Sequence, residues 1–485
     1  MPASDRNSRY GAEILALSPG SAATPDEYRL WLALVEQAAR SELLERRLEE
    51  VRASRSWRLT APLRWLLGAV KPKQKPRPDL AGPTRSGRTI GASDEGRSRL
   101  FVDVTELALE DLGAGVQRVT RRLLGGLLLA PPAGFQVQPV RLTHTGEYVL
   151  ARAFLAEFAG LSRLDAGEDC PIDPRTGDVF FALDLCRDRS AQLAPAIARV
   201  VDAGVPVTFL LHDVLPLTHP EWFPADIGHA FESWLKVVLD TPSRVLCVSR
   251  ASADQLQSLL ETRRLPAPRE GIVPISLGCD LLPSVPKQVL PVRTPGSARV
   301  LMVGTVEPRK CHAQALDGFE TLWARGEQCE LVVVGKPGWL VDELLSRLRN
   351  HPERGRRLHW IEDADDRTLA ALYRECDVLL MASKGEGFGL PIIEAGDAGL
   401  ALLLRDLPVF REVAGPRANY FDGDGATELA NALQAQLREP FKRDSAGPKW
   451  PTWAMSAEAI KSLIIPKVQL KSGTSASSKA DEENQ

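Results

Sequence analysis

At 485 residues the chain is longer than one hydrophobic core ordinarily supports, so two folded domains with extensions are expected. Its composition is that of a globular protein, 44% hydrophobic and 25% charged, and a net charge of -3 excludes a chain whose main business is coating nucleic acid. Seven scattered cysteines with no Cys-x-x-Cys pair suit a reducing cytoplasm, no apolar run reaches the roughly eighteen residues that span a bilayer, and the N-terminus lacks a basic-then-apolar secretory pattern. The chain is therefore expected on the cytoplasmic side, with most cysteines acting as small buried hydrophobes.

Residues 1 to 25 are polar and read as poorly ordered. A helix should begin near Pro25-Asp26-Glu27, because Leu30, Trp31, Leu34, Val35, Ala38, Leu44, Leu48 and Val51 recur at helical spacing against charged residues. Ser54 to Leu67 then mixes Trp and Leu with Arg, as interfacial segments do. Between Val51 and Arg99 twelve Lys or Arg face three Asp or Glu, a local excess of +9. Residues 26 to 70 are thus expected to make a peripheral contact with an anionic membrane or a coiled coil with a partner, the alternative being a solvated basic stretch after an ordinary docking helix. Residues 71 to 98, rich in Pro, Lys, Gly and Ser, read as a linker, which leaves 1 to 70 as an N-terminal helical and basic extension.

The first folded domain is expected over residues 99 to 290. It opens with the strand Arg99 to Val104, then Asp111-Leu112-Gly113-Ala114-Gly115-Val116-Gln117-Arg118 leads into a helix. Strands at Phe135 to Leu142, Val179 to Leu183, Val205 to His212 and Val245 to Ser249 alternate with helical patterns near 190 to 202, 225 to 240 and 250 to 261. Such alternation predicts a doubly wound parallel sheet with ligands at the carboxyl ends of its strands, where His212 and Asp213 fall.

After an extended connection, Gly271 to Pro295, the second domain is expected over 291 to 445. Strands at 299 to 303, 331 to 334, 358 to 361, 378 to 382 and 401 to 404 alternate with helices near 311 to 325, 339 to 349, 366 to 376, 391 to 398 and 408 to 413. At its first turn, Gly304-Thr305-Val306-Glu307-Pro308-Arg309-Lys310, a cationic pair suits a diphosphate, Arg as a fork and Lys as a point charge. The strand near 378 ends in Ser383-Lys384-Gly385-Glu386-Gly387-Phe388-Gly389-Leu390-Pro391-Ile392-Ile393-Glu394. Three glycines let a ligand approach the backbone, and the helix start behind them favours an anion. Carboxylates bracket the turn, and a carboxylate can accept hydrogen bonds from the vicinal hydroxyls of a ribose. A crossover helix is expected within 446 to 470, and 471 to 485 is a polar tail.

With these residues in view, the stretch from Gly385 to Ala395 resembles the Glu-x7-Glu signature of retaining glycosyltransferases with two Rossmann-like domains facing a cleft, in particular the large family that contains bacterial mannosyltransferases of polysaccharide assembly. The resemblance covers the last three quarters of the chain without the tail. It implies a catalytic His212 and Glu386 at the reacting sugar, and a donor site of Arg309, Lys310, Gly387, Phe388, Gly389, Leu390 and Glu394, with Glu394 on the ribose. It also implies a sugar and acceptor loop at Gly113 and Gly115, with Asp213 beside it. Gly335 to Trp339 would lie near the nucleotide, and Leu404 to Gly415 would cap it. Three departures stand out: Ala114 where relatives carry Thr or Ser, Thr305 where many carry Arg, and Cys311 where many carry Asn.

The function implied is transfer of a sugar, mannose from GDP-mannose as first choice, to a lipid-linked glycan or growing polysaccharide acceptor such as O-antigen, with the anomeric configuration retained. No metal or other cofactor is expected, since the cations and a helix dipole can neutralise a diphosphate. The alternatives are a UDP-sugar donor, or an inactive scaffold that keeps the fold. Stretches similar to Ser56-Trp57-Arg58-Leu59-Thr60-Ala61-Pro62-Leu63-Arg64 occur beside bacterial glycosyltransferase domains, which favours the membrane reading of the extension.

Overall fold

A computed structural model describes residues 97–158, 169–279, 290–293, 295–438 and 450–466. The expected N-terminal helix, the Trp-Leu-Arg segment, almost all of the linker and the polar tail lie outside the described residues. The chain falls into two compact units, and residues 99–127, 137–151 and 169–485 form the one that holds every residue of the candidate site and all but the first residues of β1 and β2. The other unit takes in residues 128–136 and 152–168; among its described residues is the helix Arg152–Phe158, whose Phe154 and Phe158 rings lie 5.5 Å apart.

The first sheet has seven strands: β1 Ser98–Asp103, β2 Phe135–Leu142, β3 Tyr148–Leu150, β4 Val179–Ala182, β5 Val207–Leu211, β6 Ser243–Cys247 and β7 Ile272–Pro274. Their order is β3-β2-β1-β4-β5-β6-β7, parallel from β1 through β7 except that β3 runs antiparallel to β2 on the edge. All the side chains of β4 and β5 are buried, as a sheet covered by helices on both faces requires. The sheet is parallel as expected, with the antiparallel β3 added at its edge, and one expectation needs correction: the extended connection from Gly271 contains β7, three residues whose partial burial gives no alternating signal.

The second sheet has six parallel strands: β8 Ala298–Val303, β9 Cys329–Val334, β10 Leu358–Ile361, β11 Val378–Met381, β12 Ala401–Arg405 and β13 Asn419–Phe421. Their order is β10-β9-β8-β11-β12-β13, so the chain winds outward one way from β8 and then restarts at β11 to wind the other way. That reversal makes the carboxyl ends of β8 and β11 the topological switch point, where doubly wound sheets bind ligands. The loops leaving those two ends are Gly304 to Lys310 and Ala382 to Gly389.

Trp450 and the helix Trp453–Ile464 join the two sheets' surroundings. The Trp450 indole Nε1 donates to the Val413 carbonyl at 3.1 Å, and the Cys279 amide donates to the Pro451 carbonyl at 2.9 Å. Further along, Arg244 donates to the Leu463 carbonyl. Within the stretch expected to hold a crossover helix, the described helix is Trp453–Ile464. Six of the seven cysteines are buried. No helix among the described residues is long and apolar enough to cross a membrane.

Candidate functional site

The two loops of the second sheet's switch point are tied together through charge. Arg309 and Lys310 occupy a single 3-10 turn, Pro308–Lys310, directly after β8. The Arg309 guanidinium donates to the Gly385 carbonyl and to Glu386 Oε2, each at 2.8 Å, and pairs with Glu307 at 2.8 Å. Lys310 Nζ pairs with the other Glu386 oxygen. Glu386 is 8% exposed, and burial alone would raise its carboxyl; Arg309 and Lys310 outweigh that and hold it at about 2. It is therefore a permanent anion with a cation on each oxygen. Burial and the Arg309 charge together lower Lys310, despite Glu386.

The first sheet meets this cluster at the end of β5. A Cβ on Gly387 would overlap the His212 carbonyl oxygen and stand 2.9 Å from its carbon, so the position admits only glycine without movement of backbone. Ser249 and Ser252 hold the contact from behind. Ser249 Oγ donates to the Gly387 carbonyl at 2.6 Å, and Ser252 Oγ lies 2.9 Å from that carbonyl and 3.0 Å from the His212 carbonyl. Asp213, whose Oδ1 accepts from the Leu215 amide at 3.0 Å, is raised by burial, and the Arg309 charge opposes the rise. The His212 ring is lowered to about 4 by burial, and its Nε2 is buried without a hydrogen-bond partner in the structure. At neutral pH it is an uncharged imidazole with polar capacity to spare.

The helix Leu390–Asp397 begins behind Gly389, whose φ of 97° is left-handed, and no side-chain hydrogen bond caps its first turn. Phe388 and Leu390 are buried. Glu394 faces away from the Arg309 and Lys310 pair to other partners: Tyr373 donates its hydroxyl to Oε2 at 2.7 Å, and Arg118 pairs with Oε1. The carboxylates that bracket the turn are thus both drawn into the unit, each with its own cation.

Arg118 belongs to the helix Gly115–Leu129, so the glycine loop also reaches the second sheet. Gly113 has a φ of 68° and its amide donates to Asp111 Oδ1 at 3.0 Å, while a Cβ on either Gly113 or Gly115 would meet nothing within 4 Å. The neighbouring Leu112 carbonyl accepts from Lys336 Nζ at 3.0 Å. In the loop after β9, which also carries Lys336, Trp339 Nε1 donates to the Trp222 carbonyl at 2.8 Å, and the Trp222 ring would lie 2.7 Å from a Cβ on Gly385. The charged side chains therefore form two clusters, Arg309 and Lys310 on Glu386 and Arg118 and Tyr373 on Glu394.

Sequence reasoning missed Arg118, Tyr373, Glu307, Ser249, Ser252 and Trp222. Arg118 carried a signal, a cation one turn into a helix behind a glycine loop. Ser249 carried another, since serine at a helix start accepts from an amide, here Ser252 N at 3.0 Å. Tyr373 and Trp222 carried none, because an aromatic in a helical or turn pattern reads as core. The stretch Leu404 to Gly415 ties the sheets together, since Glu412 accepts from the Arg250 and Ala251 amides at 2.8 and 2.9 Å and so caps the helix Arg250–Arg263 of the other sheet.

His312, at the start of the helix His312–Ala324, is 3% exposed with both ring nitrogens unpartnered, and burial lowers it to about 3. A histidine with a depressed folded value stabilises the fold above its unfolded value near 6.5, and that contribution is lost as pH falls towards the folded one. His212 and His312 together should make stability fall from about pH 6.5 down to about 3 to 4. Thermal unfolding between pH 7 and pH 5 should show a smaller drop for His312→Leu than for the parent chain, and an equal or larger drop would remove His312 as the cause.

Residues 292–449 match the family model described as glycosyl transferases, group 1. The serotype-specific mannosyltransferase WbdA of Escherichia coli is 37% identical over 384 residues, which are 76% of this chain and 46% of WbdA. The O-antigen chain mannosyltransferase B of the same species is 30% identical over 245 residues, 48% of this chain and 62% of that protein. The chain thus spans about half the length of the WbdA relative it matches. Among solved structures, HepE of Anabaena, in complex with UDP and glucose, superposes with a TM-score of 0.52 at 15% identity, covering 78% of this chain and 98% of HepE; it shares the two-sheet fold.

Proposed function

We propose that this chain, whose residues 292–449 match the group 1 glycosyl transferase model, moves a mannosyl residue from GDP-mannose to a growing, lipid-linked O-antigen or similar polysaccharide, with retention at the anomeric carbon. The mannosyltransferase relatives support the sugar and the acceptor class. The observation that carries the chemistry is the Arg309, Lys310 and Glu386 cluster at the switch point, with the neighbouring Gly387 packed against the His212 carbonyl.

In the reaction the bond between the anomeric carbon and the diphosphate oxygen breaks, and a bond to an acceptor hydroxyl forms on the same face. The hydroxyl proton leaves towards the departing diphosphate. Charge develops on the leaving oxygens, so fixed cations lower the barrier. Arg309 and Lys310 exchange Glu386 for the diphosphate as the donor enters. Glu386, an anion at any working pH, then accepts hydrogen bonds from sugar hydroxyls, with neutral His212 as a second polar group. The amides from Gly387 to Leu390 face the phosphates, and Glu394 takes the ribose. Two side-chain cations do the work a divalent ion does elsewhere, and no metal is required.

A panel of GDP- and UDP-sugars, read by thermal unfolding and then by transfer to a mannose-terminated acceptor, tests this reading. GDP and GDP-mannose should raise the unfolding temperature, because a ligand bound only by the folded state stabilises it. The product should be an α-linked mannoside, as in the donor, at a rate unchanged by excess EDTA. Stabilisation by UDP-sugars alone overturns the donor, an inverted product overturns retention, and loss in EDTA restored by magnesium overturns the metal-free mechanism.

A further inference from the structure

Glu394 is 6% exposed, and each of its oxygens already holds one partner. Tyr373 donates to Oε2, and Arg118, reaching over from the glycine-loop helix of the first sheet, pairs with Oε1. A carboxylate has about four acceptor sites, two on each oxygen, so one remains on each. Two free sites side by side match the two vicinal hydroxyls of a ribose. We propose that Arg118 is a positioning residue of the donor site, which with Tyr373 fixes the Glu394 carboxylate for ribose and so makes the nucleotide's sugar sense the first domain. This rests on the reading of Glu394 as the ribose carboxylate.

Three observations converge on that role. Arg118 is itself aligned, since its Nε lies 4.0 Å from Asp366 Oδ1, and Arg122 one turn on lies 3.7 Å from Asp366 Oδ2. Asp366 and Tyr373 belong to one helix, Asp366–Glu375, so a single element aims both partners of Glu394. The charge states are also fixed. Burial opposes charge on Arg118, but Glu394 and Asp366 keep it protonated, and burial drives the Tyr373 hydroxyl well above its ordinary range, so it stays a donor. An arginine that merely closed a surface gap would need none of this. Because Arg118 sits one turn behind Gly115, movement of the glycine loop moves the guanidinium, and donor affinity becomes linked to the posture of the first sheet.

Calorimetry with GDP and 2′-deoxy-GDP, and with UDP and 2′-deoxy-UDP in parallel, isolates the ribose whichever base the protein takes. The full chain should prefer the ribonucleotide about tenfold, the effect of one good hydrogen bond to a charged acceptor. Arg118→Met should lose most of that preference by weakening the ribonucleotide about tenfold while leaving the deoxynucleotide nearly unaffected. Arg118→Lys should recover part of it, and Tyr373→Phe should lose part of it. A generally weakened fold would lower both affinities together. An unchanged preference in Arg118→Met overturns the proposal, and so does tighter ribonucleotide binding, which would make Arg118 a competitor of the nucleotide. If Arg118→Met does not fold, an unchanged preference in Arg118→Lys overturns it equally. Glu394→Gln separates the two levels. Preference retained in that variant removes Glu394 from the ribose and the proposal with it, whereas preference lost in Glu394→Gln but kept in Arg118→Met removes Arg118 alone.

Discussion

Gly387→Ala should cripple the protein through a single methyl group. The added Cβ would overlap the His212 carbonyl oxygen, and both sides of that collision are backbone, so no side chain can swing away. The loop after β11 would have to part from the end of β5, breaking the Ser249 and Ser252 bonds to the Gly387 carbonyl. Overpacking in a fixed site costs about 1 to 3 kcal/mol, and displacing reacting groups by about 1 Å costs about a hundredfold in rate. The variant should unfold several degrees lower and transfer sugar at about 1% of the parent rate or less. Gly115→Ala is the control for stability. It lies in a first helical turn with nothing within 4 Å of the new Cβ, and alanine is the better helix former, so its unfolding temperature should hold or rise. Equal falls in unfolding temperature in the two variants would show that the close approach of Gly387 to His212 does not govern stability.

What the sequence disclosed and what it hid divide along a physical line. Strands long enough to carry a pattern announce themselves: β2, which alternates buried with half-buried residues, and β10 fall at Phe135–Leu142 and Leu358–Ile361, the bounds read from the residues. Short edge strands do not, because three residues such as Tyr148–Leu150 or Asn419–Phe421 carry no period, and both lie where a sheet ends. The helix Ala426–Arg438 was missed for another reason, a polar first turn with no marked start. At the site, chemistry written in a local motif was legible. Glu386, Lys310 and Gly387 stand in turns whose composition is itself unusual. Partners brought in by tertiary packing were not, since Arg118 meets Glu394 across 276 positions and Tyr373 meets it across 21. The motif gives the carboxylates, while the packing gives each its charge environment.

That environment sharpens what the two glutamates should do when each becomes glutamine. Glu386 shares Arg309 and Lys310 with the incoming diphosphate, so in the nucleotide-free protein it competes for the very cations the donor needs. Glu386→Gln removes the competitor and leaves two buried cations short of an anion, a state that costs about 3 to 5 kcal/mol when a buried pair loses one partner. An entering diphosphate relieves it. GDP should therefore bind as tightly as in the parent chain or several-fold more tightly, and should raise the unfolding temperature by a larger margin. Turnover should nonetheless fall about a hundredfold or more, because the charged acceptor for the sugar hydroxyls is gone from the transition state. Glu394→Gln should do the reverse. Its partners are Arg118 and Tyr373, neither of which meets the diphosphate in this scheme, and the loss of a charged acceptor should weaken GDP and GDP-mannose alike by about 1.5 to 3 kcal/mol, with a much smaller change in turnover at saturation. Calorimetry with GDP, run beside initial rates at saturating donor, reads both variants on one scale. Should Glu386→Gln weaken GDP as much as Glu394→Gln while turnover is untouched, Glu386 binds the nucleotide and not the sugar, and the division of labour between the two ends of the glycine-rich turn is the wrong way round.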